Sequence, residues 1–315
     1  MYYIGVDLGG TNIAAAVVNE KGRMLCKEST PTLAERHYSE IINDIVRLCK
    51  DVTYGINKAL EDIKSIGIGC PGKLDSKKGL FIYANNFNFK NINFREEFKE
   101  FFDIPVFLEN DANCAAFGES ISGACKGFKN SVMLTLGTGI GGGIIIDGKI
   151  YNGSFSCGGE IGHMVIERCG RECSCGRYGC FESYCSTSAL TRRLKETVQK
   201  NKDSEMYEYV KGDVEKLNTK ILFAFYKKED YLAVDIVEEY AEYLAEGITN
   251  IVNIFQPEAI VIGGGISEQG NTLLKPVIKH VKRDVYGGEL KTKIIPASLG
   301  NDAGIIGAAM LGRAD

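Results

Sequence analysis

One histidine and three cysteines fall within a short stretch of this chain, spaced as His163-x9-Cys173-x-Cys175-x4-Cys180. Imidazole and thiolate are the donors that Zn2+ prefers. Four of them saturate a tetrahedral ion and leave no open position for a metal-bound nucleophile. The cluster therefore reads as a structural metal site. Cys169 competes for a place in it, and Arg168, Arg171 and Arg177 read either as charges that offset the thiolates or as ordinary solvated residues.

A second group is acidic. Glu109-Asn110-Asp111-Ala112-Asn113 lies where a strand-like run gives way to a helical one, a rigid place from which a carboxylate and an amide can meet one substrate. Asp111 is the candidate general base, with helix capping as its competing role. Glu160 and His163 stand at the entrance to the cysteine loop, and Glu182 follows its last cysteine by two residues. A closed metal site would fix such carboxylates relative to each other.

Three glycine-rich turns follow strand-like runs, at Asp7–Asn12, Gly137–Gly143 and Gly263–Gly265. Glycine lets backbone N–H groups converge on an anion where a Cβ would block approach. Asp7 adds a hard oxygen ligand suited to Mg2+. Thr11, Asn12 and Thr138 offer side-chain hydrogen bonds beside Gly9, Gly10, Gly139, Gly264 and Gly265. None of the turns has the G-x-x-x-x-G-K-[ST] pattern. The competing reading is ordinary hairpin turns.

The elements that must hold these groups follow from hydrophobic patterning. Tyr2–Val6 and Ile13–Val18 read as a hairpin, as do Val132–Leu136 and Gly141–Ile146. A shift of 128 residues lays Gly9 on Gly137 and Val17 on Ile145, which suggests two related domains. Apolar residues at spacings of three and four predict helices over Tyr38–Leu60 and Ile236–Phe255, the latter capped by Asp235 with Glu238. A helix is also predicted over Asp111–Glu119, and strands over Ser65–Gly69, Val106–Leu108 and Ala259–Ile262. Residues 203–230 read as helical scaffold.

The chain has 315 residues, enough for two domains. Its formal net charge of −4 gives no general field for nucleic acid or an anionic membrane. No apolar run is long enough to span a bilayer, and the N-terminus enters a strand at once, so a cytoplasmic location is expected. The 11 cysteines lie between Cys26 and Cys185 and lack the setting of a secreted disulfide scaffold.

Taken together the motifs resemble the ROK family (repressor, open reading frame, kinase). The resemblance runs from Asp7-Leu8-Gly9-Gly10-Thr11-Asn12 through Cys70-Pro71-Gly72, Glu109-Asn110-Asp111 and Gly158-Gly159-Glu160-Ile161-Gly162-His163. It continues through Cys173-Ser174-Cys175-Gly176-Arg177-Tyr178-Gly179-Cys180-Phe181-Glu182 to Gly263-Gly264-Gly265. It implies an α/β, actin-like (ribonuclease-H-like) fold of two lobes with a cleft between them. The lobes are expected at 1–115 plus 300–315 and at 116–299, the second containing the zinc loop 163–180.

The same resemblance implies a kinase that uses ATP and Mg2+ and carries structural Zn2+, with Asp111 as general base and Asp7 near the phosphates. Gly72, Asn110, Asp111, Glu160, His163 and Glu182 would contact sugar, together with Asn85 or Asn86. His163 would then use one ring nitrogen for zinc and the other for sugar. Hexose and ATP are the expected small-molecule partners, in a homodimer without nucleic acid or membrane. Glucose is the expected substrate. N-acetylglucosamine, N-acetylmannosamine, fructose and allose kinases are the alternatives, and a sugar-sensing binding protein is the non-enzymatic one. Repressor members carry a DNA-binding segment before the kinase-like core, and a first strand at Tyr2 leaves no room for it.

Overall fold

A computed structural model describes residues 1–313. The C-terminal limit expected for the first lobe, residue 315, lies outside the described residues. Among the described residues thirteen strands run in chain order: β1 Tyr2–Leu8, β2 Asn12–Asn19, β3 Met24–Pro31, β4 Ile63–Cys70, β5 Lys73–Asp75, β6 Leu80–Tyr83, β7 Ile92–Asn93, β8 Val106–Asn110, β9 Ser131–Leu136, β10 Ile140–Ile146, β11 Lys149–Ile150, β12 Ala259–Gly263 and β13 Lys293–Pro296. The α-helices are α1 Tyr38–Tyr54, α2 Phe94–Lys99, α3 Asp111–Ser122, α4 Glu182–Cys185, α5 Thr187–Lys200, α6 Glu205–Tyr209, α7 Thr219–Tyr226, α8 Tyr231–Phe255, α9 Asn271–Asp284 and α10 Ala303–Met310.

The two main sheets share one plan. The first has the order β3-β2-β1-β4-β8 and the second β11-β10-β9-β12-β13. In each, the leading strand stands between its hairpin partner and the first of two parallel strands, β4 with β8 and β12 with β13. The repeat seen in the glycine turns thus extends to strand order.

The parallel pairings decide where the chemistry collects. β1 pairs with β4 through Asp7 and Gly69, and β4 pairs with β8 through Gly69 and Glu109, then Cys70 and Asn110. Asp7 and the Asn110–Asp111 turn therefore emerge at the same carboxyl edge of the sheet, one strand apart. That edge is where open α/β sheets bind ligands.

Two compact units divide the chain: Met1–Met133, Gly142–Gly159 and the segment from Ala297 onward form the first, Leu134–Gly141 with Glu160–Pro296 the second. The boundary expected at 115/116 falls inside α3, an unbroken helix, so residues 116–133 and 142–159 belong with the first unit. In the first unit α1 buries Ile41, Ile42, Ile45 and Cys49 in a core that also holds β1, β4 and a cluster of phenylalanines, with Phe81 stacked on Phe94 at 5.7 Å.

Two helix limits differ from expectation. α1 stops at Tyr54, because Gly55 and the left-handed Asn57 end it before Leu60. α8 begins at Tyr231 rather than Ile236: Asp230 caps it, accepting from the Ala233 N–H at 2.9 Å. Asp235 lies inside the helix, because an equally good acidic cap stands one turn and a half upstream.

Candidate active site and metal centre

In the first unit the site is built from three strand ends. Asn110 caps α3, its Oδ1 accepting from the N–H groups of Ala112 at 2.9 Å and Asn113 at 3.2 Å. The capping that competed for Asp111 is thus done by its neighbour. Asp111 Oδ1 does accept from the Ala112 N–H at 2.8 Å, yet the residue stays open to solvent. Desolvation by the surrounding protein still raises its pKa, against hydrogen bonds from Ala112, its own N–H and Asn110 that lower it.

Asp7 is more enclosed. Burial, reinforced by the charge of Asp111, raises its pKa from 3.8 to about 6, while Lys27 pulls the other way. Lys27 is itself held by Asp302, Nζ to Oδ1 at 2.6 Å. Next to Asp7 the first glycine turn is closed by the Gly9 N–H donating to the Asn12 carbonyl at 3.0 Å. The Thr32 hydroxyl donates to the Gly9 carbonyl at 2.6 Å, and Thr11 and Asn12 face solvent.

Of the doubled asparagines, Asn86 is the one brought to this turn. A Cβ on Gly10 would lie 2.9 Å from Asn86 Nδ2. Gly72, with φ 90°, packs under Tyr83 and Ala84 on the segment that leads to Asn85 and Asn86.

In the second unit the other two glycine turns meet. The Gly137 N–H donates to the Gly139 carbonyl at 3.0 Å. Gly264, at φ 85°, lies directly on the backbone of Leu136, an approach and a conformation that only glycine accepts readily. Gly137, Thr138 and Gly265 then line one cavity of about 750 Å3 with Thr187, Thr191, Arg192 and Lys195 of α5 and with Glu215. The start of α5 is fastened there, the Thr187 N–H donating to the Gly137 carbonyl at 2.8 Å.

Sequence reasoning missed the α5 contribution. The hydroxyl-rich run Ser186-Thr187-Ser188 was its one visible sign, since it gives a helix start with donors to spare. Two glutamates, Glu196 and Glu215, line the cavity as well, and Lys195 is paired with Glu215 at 2.6 Å, so Arg192 is the lining cation without an ion pair among the described residues, beside the hydroxyls of Thr138, Thr187, Ser188 and Thr191.

The metal centre lies in the same unit. The donor atoms of His163, Cys173, Cys175 and Cys180 all fall within 4.8 Å of one another, and Cys169 is outside the group and exposed. His163 Nδ1 is 3.6 Å from Cys173 Sγ, and Cys175 Sγ is 3.7 Å from Cys180 Sγ. Zinc bonds of about 2.3 Å to sulfur and about 2.0 Å to nitrogen in a tetrahedron would separate two sulfurs by about 3.8 Å and sulfur from nitrogen by about 3.6 Å. The residues fit Zn2+. With Nδ1 on the metal side, Nε2 is the ring nitrogen left for another contact.

Arg171 does not balance the thiolates. Its guanidinium stacks 4.4 Å from the Tyr184 ring centroid and pairs with Glu239 at 3.1 Å, which ties the loop to α8. Glu182 is likewise occupied: Oε2 accepts from the Ile140 N–H at 2.9 Å and Oε1 from the Ser174 hydroxyl at 3.1 Å. It bridges the cysteine loop to the second glycine turn. Glu160 is exposed at the head of the short helical turn that carries His163, its carbonyl accepting from the His163 N–H at 3.1 Å.

Comparison with known proteins accords with this arrangement. A glucokinase of Halalkalibacterium halodurans is 37% identical over 317 residues, covering 98% of this chain and 94% of that one. A xylose repressor of Bacillus spizizenii is 30% identical over 98% of this chain and 76% of its own length. Among solved structures, a ROK family glucokinase from Streptomyces griseus in complex with glucose and AMPPNP superposes with a TM-score of 0.81 at 33% identity, covering both chains fully. The fold is accordingly the α/β fold of actin-like sugar kinases. Residues 3–315 match the profile of the ROK family, and with a relative 37% identical over 98% of this chain, the chain belongs to the ROK family.

Proposed function

We propose that the chain transfers the γ-phosphoryl group of ATP to glucose or a closely related hexose, with Asp111 as the general base. The observation that carries this is the state of Asp111: capping is done by Asn110, and the Asp111 carboxylate is both open to solvent and raised in pKa. A base poised nearer neutrality takes a proton from a hydroxyl more readily than an ordinary surface aspartate.

The proposed roles fall on residues of both units. The first supplies Asp111 to accept the proton of the attacking hydroxyl, with Asn110, Asn86 and Gly72 as hydroxyl-recognising neighbours. The second supplies the cavity at Gly137, Thr138 and Gly265, where the Thr138, Thr187 and Thr191 hydroxyls and the Arg192 guanidinium hold the nucleotide, with Lys195 free to join them on leaving Glu215. Phosphoryl transfer asks little covalent chemistry of a protein. It asks for alignment and for positive potential on the transferring oxygens. Asp7 with the Gly9–Asn12 turn is the group suited to hold Mg2+, which when bound neutralises phosphate charge.

His163, Cys173, Cys175 and Cys180 would hold zinc, whose contribution is to fix the loop. Glu160, His163 Nε2 and Glu182 are then the loop's polar groups for sugar. Glu182 does this while its carboxylate also receives Ile140 and Ser174, since each oxygen has a second lone pair.

The test is ATP-dependent phosphorylation measured as kcat/KM for glucose, N-acetylglucosamine and N-acetylmannosamine. Glucose is expected to lead. A folded protein that turns over none of them would overturn the reading, and a preference for an acetylated sugar would replace glucose in it.

A further inference from the structure

Glu109 is a buried carboxylate, 5% exposed, and among the described residues no cation lies within ion-pair distance of it. Amides satisfy it instead. Its Oε1 accepts from the Asn110 N–H at 2.8 Å and from Asn113 Nδ2 at 3.0 Å, and its Oε2 accepts from Asn152 Nδ2 at 2.6 Å. Asn113 Nδ2 also donates to Asn152 Oδ1 at 2.9 Å, which closes a ring of three side chains. Turning either amide round would set oxygen against oxygen, so Glu109 dictates the orientation of both.

The ring joins two segments of different kinds. Glu109 and Asn113 flank the Asn110–Asp111 turn on regular elements, the end of β8 and the first turn of α3. Asn152 opens an irregular stretch that runs to Gly159 with left-handed backbone at Gly153, Ser156 and Gly159. The Asn152 carbonyl accepts from the Gly158 N–H at 2.9 Å, so the same residue closes the loop 152–158 and anchors it through its side chain. The loop leads directly into Gly159 and Glu160.

We infer that Glu109, Asn113 and Asn152 form a positioning clamp that holds the loop 152–158 against the Asn110–Asp111 turn and thereby sets the affinity for hexose. This rests on the proposed kinase reading. None of the three is assigned to the reacting atoms. Their effect passes through Asp111 and through the segment entering Glu160, so it is expected in the sugar parameters and not in those of the nucleotide.

The experiment compares wild type, Asn152→Ala and Asn152→Asp in steady-state kinetics with glucose and ATP varied separately, alongside thermal melting. Asn152→Ala is expected to raise the glucose KM at least about fivefold, with the ATP KM and kcat within about twofold of wild type. Asn152→Asp sets two carboxylates together. It is expected to raise the glucose KM more at pH 8 and to recover toward the wild-type value at the same pH as the medium is made acidic, because a protonated carboxyl can again donate to Glu109.

A glucose KM unchanged in Asn152→Ala overturns the clamp. So does a loss shared equally by all parameters and tracking the melting temperature, which is what a merely structural role predicts. Should Asn152→Ala fail to fold, the pH recovery of Asn152→Asp decides, and its absence counts against the clamp. The wild-type rate in the same assay reports separately on the kinase reading: an inactive wild type overturns both, an active wild type beside an indifferent Asn152→Ala only the clamp.

Discussion

Asp7 at the end of β1 and Asp111 at the head of α3 raise a shared electrostatic problem, since the charge on Asp111 adds to burial in holding the Asp7 pKa near 6. Two carboxylates brought to one sheet edge repel each other, and Lys27 offsets this only in part. Sites arranged for function commonly carry such a cost.

Replacement of Asp7 should therefore separate stability from activity. Asp7 binds a proton in the folded protein up to about pH 6, whereas the unfolded chain releases it near 3.8. The folded form thus holds more protons in that window, and stability falls as pH rises through it. Asp7→Asn removes this component. It is expected to be more stable than wild type at pH 7 to 8 by on the order of 1 kcal/mol, allowing for partial solvent access, while losing most activity. Paired melting curves at pH 4.5 and 7.5 check the sign: the variant's advantage must be larger at the higher pH.

Asp111→Asn keeps the size and the Asn110 cap but cannot accept the proton. A fall in kcat of about 10²- to 10⁴-fold is expected, with folding intact and glucose binding retained by calorimetry. Near-normal turnover in a folded variant would remove the assigned base.

Activity should also fall on acidification. Both carboxylates have raised pKa values, Asp7 to about 6, so acidification through that range removes the Mg2+-facing oxygen, and protonation of Asp111 removes the base. The acid limb of kcat/KM for glucose is expected near pH 6, well above that of an ordinary aspartate. An acid limb below pH 4.5 would contradict the shifts.

Zinc analysis of protein prepared without chelator should find about one ion per chain. A strong chelator, or Cys175→Ser, is expected to lower the melting temperature and raise the glucose KM by loosening His163 and Glu182. The Arg171 stack on Tyr184 and its pair with Glu239 are independent of the metal, so part of the loop's docking should survive. Unaltered melting after complete zinc removal would show that the ion holds nothing.

Gly264→Ala places a Cβ against the Leu136 backbone at a φ of 85°. A loss of more than about 2 kcal/mol is expected from strain and overlap together. Gly139→Ala meets only the end of the Glu182 side chain, so the melting temperature should move little. Its effect should be kinetic, because Glu182 is pushed off the Ile140 N–H. The two variants thus predict opposite balances of stability and activity.

By itself the sequence determined the features that rest on short-range chemistry. The zinc cluster was legible from spacing, because four soft donors within one loop have few other uses, although Cys169 was set aside only by the positions of the donor atoms. The paired hairpins at Gly9 and Gly137 were legible because a glycine after an apolar run forces a turn wherever the chain goes. Asp111 was legible as a candidate because its position between a strand and a helix is a local property, with helix capping as the competing role.

Tertiary structure decided the rest. The cap of α8 passed from Asp235 to Asp230 because two acidic starts were available and packing selected the longer helix. Asn86 lies against Gly10, a contact across 76 residues that no spacing reveals. The roles of Arg171, of α5 and of the ring of Glu109, Asn113 and Asn152 likewise depend on partners far apart in the chain. Sequence discloses which groups can bond; only the fold settles which of them are brought within reach.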